Sequence, residues 1–206
     1  ACPSKTVSRG SCTGMNIKLP DGDFAAYIFD CDGTLADTMP LHYRAWCAAL
    51  KEHNAEFPEA LFYELGGVTT ERVVEILNER HGHSMPVKET ARFKDNLFVE
   101  LIPRILPIEP VVELVHQYHG TKPLAVASGG TRAIVTKILD ALGILQKFQA
   151  VVTAENYRHG KPAPDPFLEA ARRLGVTPAQ CLVFEDTTTG IKAAKAAGMQ
   201  WVLVGK

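Results

Sequence analysis

The chain has 206 residues, 46% of them hydrophobic and 22% charged, which suits one globular core with a smaller insertion rather than a disordered or repetitive chain. A formal net charge of −1 supplies no field for nucleic acid, so an anionic ligand must be met by local positive groups; no apolar run is long enough to span a bilayer. Five cysteines (Cys2, Cys12, Cys31, Cys47 and Cys181), an odd number with no Cys-x-x-Cys spacing, argue against a disulfide framework and for a reducing cytoplasm.

Residues 1–16 read as an N-terminal extension, polar and without the apolar stretch of a secretory signal, and Met15 would make a natural start. The first element is a buried strand, Tyr27-Ile28-Phe29, ending abruptly in Asp30-Cys31-Asp32-Gly33-Thr34-Leu35. Ligands of open α/β sheets bind at the C-terminal ends of strands, where these two carboxylates fall. Carboxylates this close repel unless a cation sits between them or their protonation states differ. Both escapes suit a metal-dependent carboxylate nucleophile with an acid/base partner. The plainer reading is a strand followed by an Asp-Gly turn.

A helical region follows. Leu41, Ala45, Trp46, Ala48, Ala49 and Leu50 recur at helical spacing over 40–52, and further helices are predicted over 59–65, 71–81 and 87–102. Gly66-Gly67 and the stretch 81–86 separate them, and Pro103 and Pro107 bracket the exit. Residues 38–106 thus form an all-helical cap inserted into a core built from 17–37 and 107–206, and its place beside the acidic strand tip suggests a lid.

From there helices and strands alternate. A helix over 109–118 precedes a strand over 123–127 that ends at Ser128-Gly129-Gly130. The next helix, 131–142, has Thr131 at its N-cap or first turn and Gly143 as its stop. A strand over 150–152 leads through the loop His159-Gly160-Lys161-Pro162-Ala163-Pro164-Asp165-Pro166 into a helix over 165–174, stopped by Gly175. A strand over 181–184 ends at Glu185-Asp186, a small-residue helix over 189–197 stops at Gly198, and the last strand is 201–204. This alternation predicts an α/β fold: a doubly wound, Rossmann-like parallel sheet with an inserted all-helical cap domain. Cys31 and Cys181, in or beside buried strands, read as small hydrophobes.

Taken singly, Ser128 reads as turn chemistry, Lys161 as a solvated loop lysine and Glu185-Asp186 as a strand-to-helix turn. A parallel sheet brings all of them to the same edge as Asp30 and Asp32. Hard carboxylate oxygens favour Mg²⁺. One lysine and one hydroxyl can hold phosphoryl oxygens. Phosphoryl transfer is mostly positioning and charge neutralisation, so this inventory suffices for it.

The order Asp30-x-Asp32-Gly33-Thr34, Ser128 after an apolar strand, Gly160-Lys161-Pro162-x-Pro164-Asp165-x-Phe167 and Glu185-Asp186 resembles the haloacid dehalogenase superfamily from Phe24 to the C-terminus. The helical insertion, with Ala36-Asp37-Thr38 and Leu41-His42-Tyr43-Arg44-Ala45-Trp46 at its start, resembles the subgroup of β-phosphoglucomutase and small sugar-phosphate phosphatases. The resemblance implies that Asp30 is the nucleophile and Asp32 the general acid and then base. It implies Mg²⁺ held by Asp30, Glu185, Asp186 and the backbone carbonyl of Asp32. Ser128, with Gly129 beside it, would bind a phosphoryl oxygen, and Lys161 would neutralise charge near Asp30 and the phosphoryl group. Thr38 would lie near the hinge, and His42 would couple closure to Asp32.

One departure matters. In the mutase an arginine shortly after the cap's Gly-Val pair grips a second phosphate; here Gly67-Val68 is followed by Thr69-Thr70-Glu71. Arg72 would sit elsewhere on the helix, and Lys94 is a loose candidate for the cap's other phosphate contact. The expected function is therefore Mg²⁺-dependent hydrolysis, through an aspartyl-phosphate, of a small phosphorylated metabolite, a sugar phosphate such as fructose 1-phosphate. The alternatives are a β-phosphoglucomutase-like mutase and, from another class, a receiver-like phosphorylation module, against which the insertion and Asp32 argue. A halide-releasing dehalogenase needs no acid for a leaving oxygen, and a phosphonate hydrolase needs a reactive cap lysine for which Lys51 has no supporting context. The expected partner is a small phosphorylated substrate, with no nucleic acid and no membrane, and the expected state is a monomer in the cytoplasm.

Overall fold

The computed structural model describes residues 17–66 and 68–205. The readings made for 1–16, including Cys2, Cys12 and Met15, and for Gly67 lie outside the described residues.

The central strand β1 (Ala26–Phe29) is flanked by β2 (Leu124–Ala127) and β4 (Cys181–Glu185); β3 (Ala150–Val152) and β5 (Gln200–Leu203) form the edges. All pairs are parallel, in the order β3-β2-β1-β4-β5. Chain order thus runs outward from β1 on one side and returns to start again on the other. That makes the carboxyl end of β1 the switch point where a crevice opens.

Strand side chains alternate between two layers, as a pleated strand requires. Tyr27, Phe29, Leu124, Val126, Leu182 and Phe184 pack on one face against α5 (Glu109–Tyr118) and α6 (Arg132–Ala141). Phe29 and Phe184 stack there with ring centroids 4.6 Å apart. Ala26, Ile28, Ala125, Ala127 and Val183 face α7 (Asp165–Leu174) and α8 (Thr188–Ala196), which contribute Phe167, Ala170, Ala193 and Ala194. The three inner strands β1, β2 and β4 are buried on both faces, so their sequences read as nearly continuous apolar runs.

Between β1 and α5 lie α1 (Met39–Lys51), α2 (Glu59–Glu64), α3 (Thr70–His81) and α4 (Val87–Leu101). With their connections they carry a separate apolar cluster including Trp46, Leu50, Phe57, Phe62, Val74, Leu77 and Met85. Leu41, Ala45 and Phe98 instead join the cluster on the sheet. The chain leaves and re-enters the sheet layer side by side: the N–H of Asp37 donates to the carbonyl of Leu106 and that of Ile108 to Leu35, both at 2.9 Å. The expected α/β sheet with an inserted helical cap is thus what forms.

The differences are local. Glu185 lies within β4 rather than after it. Thr131 occupies the N-cap of α6, but its side chain does not cap; the Glu155 carboxylate accepts from the N–H of Arg132 instead, at 3.0 and 3.1 Å. A carboxylate from a distant loop serves the helix N-terminus as well as a local hydroxyl does. Among the described residues no helix is long and apolar enough to cross a membrane.

Candidate active site

Backbone pairing continues past the strand ends and aligns the tips. The N–H of Asp30 donates to the carbonyl of Phe184 at 2.9 Å, and that of Ser128 to Val152 at 3.0 Å. Asp30 therefore stands beside Glu185, and oxygen atoms of Asp30, Glu185 and Asp186 all lie within 4.8 Å of one another. Lys161, carried in on the loop before α7, donates to Asp30 Oδ1 at 2.6 Å and to Glu185 Oε2 at 2.7 Å. Its ammonium also sits 4.9 Å from the centre of the Phe167 ring.

These groups are deeply buried, which decides their electrostatics. Burial, with the charges of Glu185, Asp186 and Asp32, pushes the Asp30 carboxyl well up against the pull of Lys161. Burial also works against the Lys161 charge, but Asp30 and Glu185 outweigh it and raise its pKa. With two carboxylates on one ammonium, the proton stays on the lysine. Asp186 is pushed up to about 6 by burial and then by Glu185. Three carboxylates against one cation leave the cluster short of positive charge, and hard oxygen donors at this spacing fit a divalent cation such as Mg²⁺.

The outer carboxylates are held by hydroxyls. Thr34 Oγ1 donates to Asp186 Oδ1 at 3.1 Å. Thr187, the N-cap of α8, donates to Glu185 Oε1 from its N–H at 3.0 Å and from its hydroxyl at 2.7 Å. Two glycines make room. Gly33 has φ +85°, and a side chain there would strike the Asp186 carboxylate; at Gly190 a Cβ would fall on the Glu185 carboxylate. Gly190→Ala is expected to displace Glu185 at a cost of roughly 1–3 kcal/mol, the usual penalty for overpacking. The check is the urea unfolding midpoint, and an unchanged value would mean that α8 gives way freely.

Asp32 points elsewhere. Its Oδ1 lies 3.4 Å from His42 Nε2, and its Oδ2 accepts from Ser128 Oγ at the long limit of 3.5 Å. Burial alone would raise its pKa, but the hydrogen bond and charge of His42, the nearby Thr38 hydroxyl and the more distant Lys94 charge hold it below the ordinary carboxylate value. Asp30 and Asp32, two residues apart, are thus pushed in opposite directions. Ser128 Oγ also accepts from the N–H of Gly130 at 3.0 Å, and its carbonyl accepts from the Tyr157 hydroxyl at 3.0 Å. Gly129 is exposed beyond it, with open space where a Cβ would stand.

Asp30, Asp32, Ser128, Lys161, Glu185, Asp186 and His42 are brought together. Thr38 is buried at the N-cap position of α1, and among the described residues its hydroxyl finds no partner of hydrogen-bond geometry. The Asp32 carboxylate lies outside the three-carboxylate cluster. Lys94, a loose candidate for a phosphate contact, is buried, donating to His42 Nδ1 at 2.9 Å and Asp95 Oδ1 at 3.2 Å. Arg72 is exposed and donates to Glu75 and Glu79 at 2.8 and 3.1 Å. Burial, then the charges of Asp32 and Asp30, hold the Cys31 thiol protonated, so it packs without reacting.

Sequence reasoning missed Thr187, Tyr157 and Phe98. Thr187 carries a signal, a hydroxyl residue before a helical stretch. Tyr157 and Phe98 carry none, because their roles arise only from packing.

The sequence model of the haloacid dehalogenase-like hydrolases matches residues 24–198. The chain belongs to this family. It is 38% identical over 179 residues to fructose-1-phosphate phosphatase YqaB of Escherichia coli, covering 87% of this chain and 95% of that one. It is 32% identical to β-phosphoglucomutase of Bacillus subtilis, covering 88% and 83%. Among solved structures, CbbY of Rhodobacter sphaeroides in complex with phosphate superposes with a TM-score of 0.78 at 26% identity, covering 86% and 84%. The β-phosphoglucomutase of Clostridium difficile does so with 0.78 at 28%, covering 89% and 85%. This haloacid dehalogenase-like hydrolase is therefore an enzyme of the phosphomonoester-hydrolase type, and the receiver-like alternative falls away.

Proposed function

We propose that this hydrolase removes phosphate from a small sugar phosphate, such as fructose 1-phosphate, by way of an aspartyl-phosphate on Asp30. The observation that carries this reading is the opposed setting of two neighbouring carboxylates. Asp30 sits against Lys161 in the acidic cluster, while Asp32 is held apart by His42 and Ser128. In the first step an Asp30 oxygen bonds to phosphorus, the bond to the sugar oxygen breaks, and Asp32 gives that oxygen a proton. In the second step Asp32 takes a proton from water as the water oxygen bonds to phosphorus. The Asp30–phosphorus bond breaks and inorganic phosphate leaves. Asp32 is ionised in the free protein, and a phosphoryl dianion arriving beside it raises its affinity for the proton it must donate.

Ser128 and Lys161 hold the phosphoryl oxygens, with Gly129 open beside Ser128. Asp30, Glu185 and Asp186, with the backbone carbonyl of Asp32, would hold Mg²⁺, which supplies positive charge that keeps Asp30 ionised and neutralises the phosphoryl group. Residues 38–106 act as the cap, with Thr38 near the hinge and His42 linking closure to Asp32. Hydrolysis is favoured over mutase chemistry because the two cap cations considered for a second phosphate, Lys94 and Arg72, are engaged with other residues. We take the chain to act as a monomer on a free metabolite in the cytoplasm, where the buried, unpaired Cys31 and Cys181 thiols would stay reduced.

The test is phosphate release from a panel of sugar monophosphates with Mg²⁺ and with EDTA. Metal-dependent release over many turnovers is expected. With β-glucose 1-phosphate and catalytic glucose 1,6-bisphosphate, glucose 6-phosphate forming faster than free phosphate would overturn hydrolysis in favour of the mutase.

A further inference from the structure

Lys94 is a buried cation in the cap, and what it touches sets the state of His42. An ammonium can only donate, so His42 Nδ1, 2.9 Å from Lys94 Nζ, must accept. With Nδ1 accepting from the ammonium, the ring is neutral and its proton sits on Nε2. That is the nitrogen 3.4 Å from Asp32 Oδ1, which makes His42 a donor to Asp32. The ring cannot turn freely, because it stacks on Phe98 with centroids 3.6 Å apart and planes within 8°. The whole arrangement depends on Lys94 keeping its charge.

Burial disfavours that charge. The rings of Trp46 and Phe98, centred 5.5 and 5.4 Å from Lys94 Nζ, favour a cation but offer no countercharge. The groups facing Lys94 are His42 and Trp46 from α1, Phe98 and Asp95 from α4, and at longer range Asp32. Among the described residues only Asp95 puts a carboxylate oxygen within bonding distance of Lys94, Oδ1 at 3.2 Å. The same oxygen accepts from Thr70 Oγ1 at 3.3 Å, so the first residue of α3 steadies it.

We propose that Asp95 and Thr70 are positioning residues for the acid/base group: through Lys94 they fix His42 as an Nε2–H donor aimed at Asp32. The chain of contacts runs from the partly exposed Asp95 on the cap to the carboxylate of the β1 loop. The proposal rests on Asp32 being the acid/base group, and its test separates the two ideas.

Asp95→Asn, nearly isosteric, is expected to lower kcat on a sugar phosphate about tenfold, a fraction of what a general acid contributes, with KM little changed. The loss should be smaller on p-nitrophenyl phosphate, whose leaving group needs no proton. The alkaline limb of the rate profile should move to lower pH as Lys94 loses its countercharge. Asp95→Glu should recover part of the rate, and Thr70→Val should show a weaker loss in the same direction. Independently of turnover, ¹⁵N spectra of histidine-labelled protein, assigned by difference from His42→Gln, should show the Nε2–H tautomer at His42 and its loss in Asp95→Asn. A native tautomer and native kcat in Asp95→Asn would overturn the proposal. A lost tautomer with kcat intact would overturn the link from His42 to the acid/base group, whereas Asp32 itself is tested by Asp32→Asn, in which a native kcat would sink its acid/base role.

Discussion

Asp30→Asn is expected to abolish turnover while the protein stays folded. The amide matches the carboxylate in shape but is no nucleophile, so the covalent step disappears and activity should fall by at least about a thousandfold. The structure also predicts the cost to the fold. Asp30 is one of three crowded carboxylates, two buried and one half-buried, and Lys161 retains Glu185 as a partner at 2.7 Å when the Asp30 charge is removed. Relief of repulsion and loss of one ion pair oppose each other, so the thermal midpoint without metal should stay the same or rise. Phosphate release and a thermal scan on the same preparation make the measurement. Retained hydrolysis would refute the aspartyl-phosphate route.

Lys161→Ala is expected to fail in two ways. The rate should drop sharply, because the phosphoryl group and Asp30 lose the cation between them. From the sequence, this substitution is expected to lower the rate without unfolding the protein. The structure adds a stability cost. Lys161 is buried between Asp30 and Glu185, and removing one partner of a buried ion pair leaves uncompensated charge, typically costing roughly 3–5 kcal/mol. Urea unfolding without metal should show that loss, and added Mg²⁺ should return part of it through binding to the folded state. Lys161→Met, which keeps the apolar stem against Phe167, separates packing from charge. An unchanged rate in either variant would leave Lys161 a structural residue only.

The alternation of short apolar runs with helices read off the sequence is what forms, with boundaries shifted by about one residue at several ends, as frayed helix termini allow. Local signals were strongest where chemistry is local: Gly143 and Gly175 adopt the positive φ expected where their helices end. Thr131 shows the limit, since the hydroxyl stands where expected but the cap comes from Glu155, a residue near in space and far in sequence. Lys94 shows it more sharply. As a cap lysine it could have faced a substrate phosphate, and only the meeting of α1 and α4 turns it toward His42.

By itself the sequence determined the strand tips and therefore the residue types that meet at the crevice. A parallel sheet converges whatever its strands carry at their carboxyl ends, and Asp30, Ser128, Glu185 and Asp186 are all placed by that rule. What only the tertiary structure decided is the electrical state of those groups. Asp30 and Asp32 are chemically identical and two residues apart, yet burial in an acidic cluster pushes one up while His42, Thr38 and Lys94 hold the other down. A pKa depends on desolvation and on charges a few ångströms away, and the charged neighbours Lys94, Lys161, Glu185 and Asp186 lie far along the chain from the tip of β1.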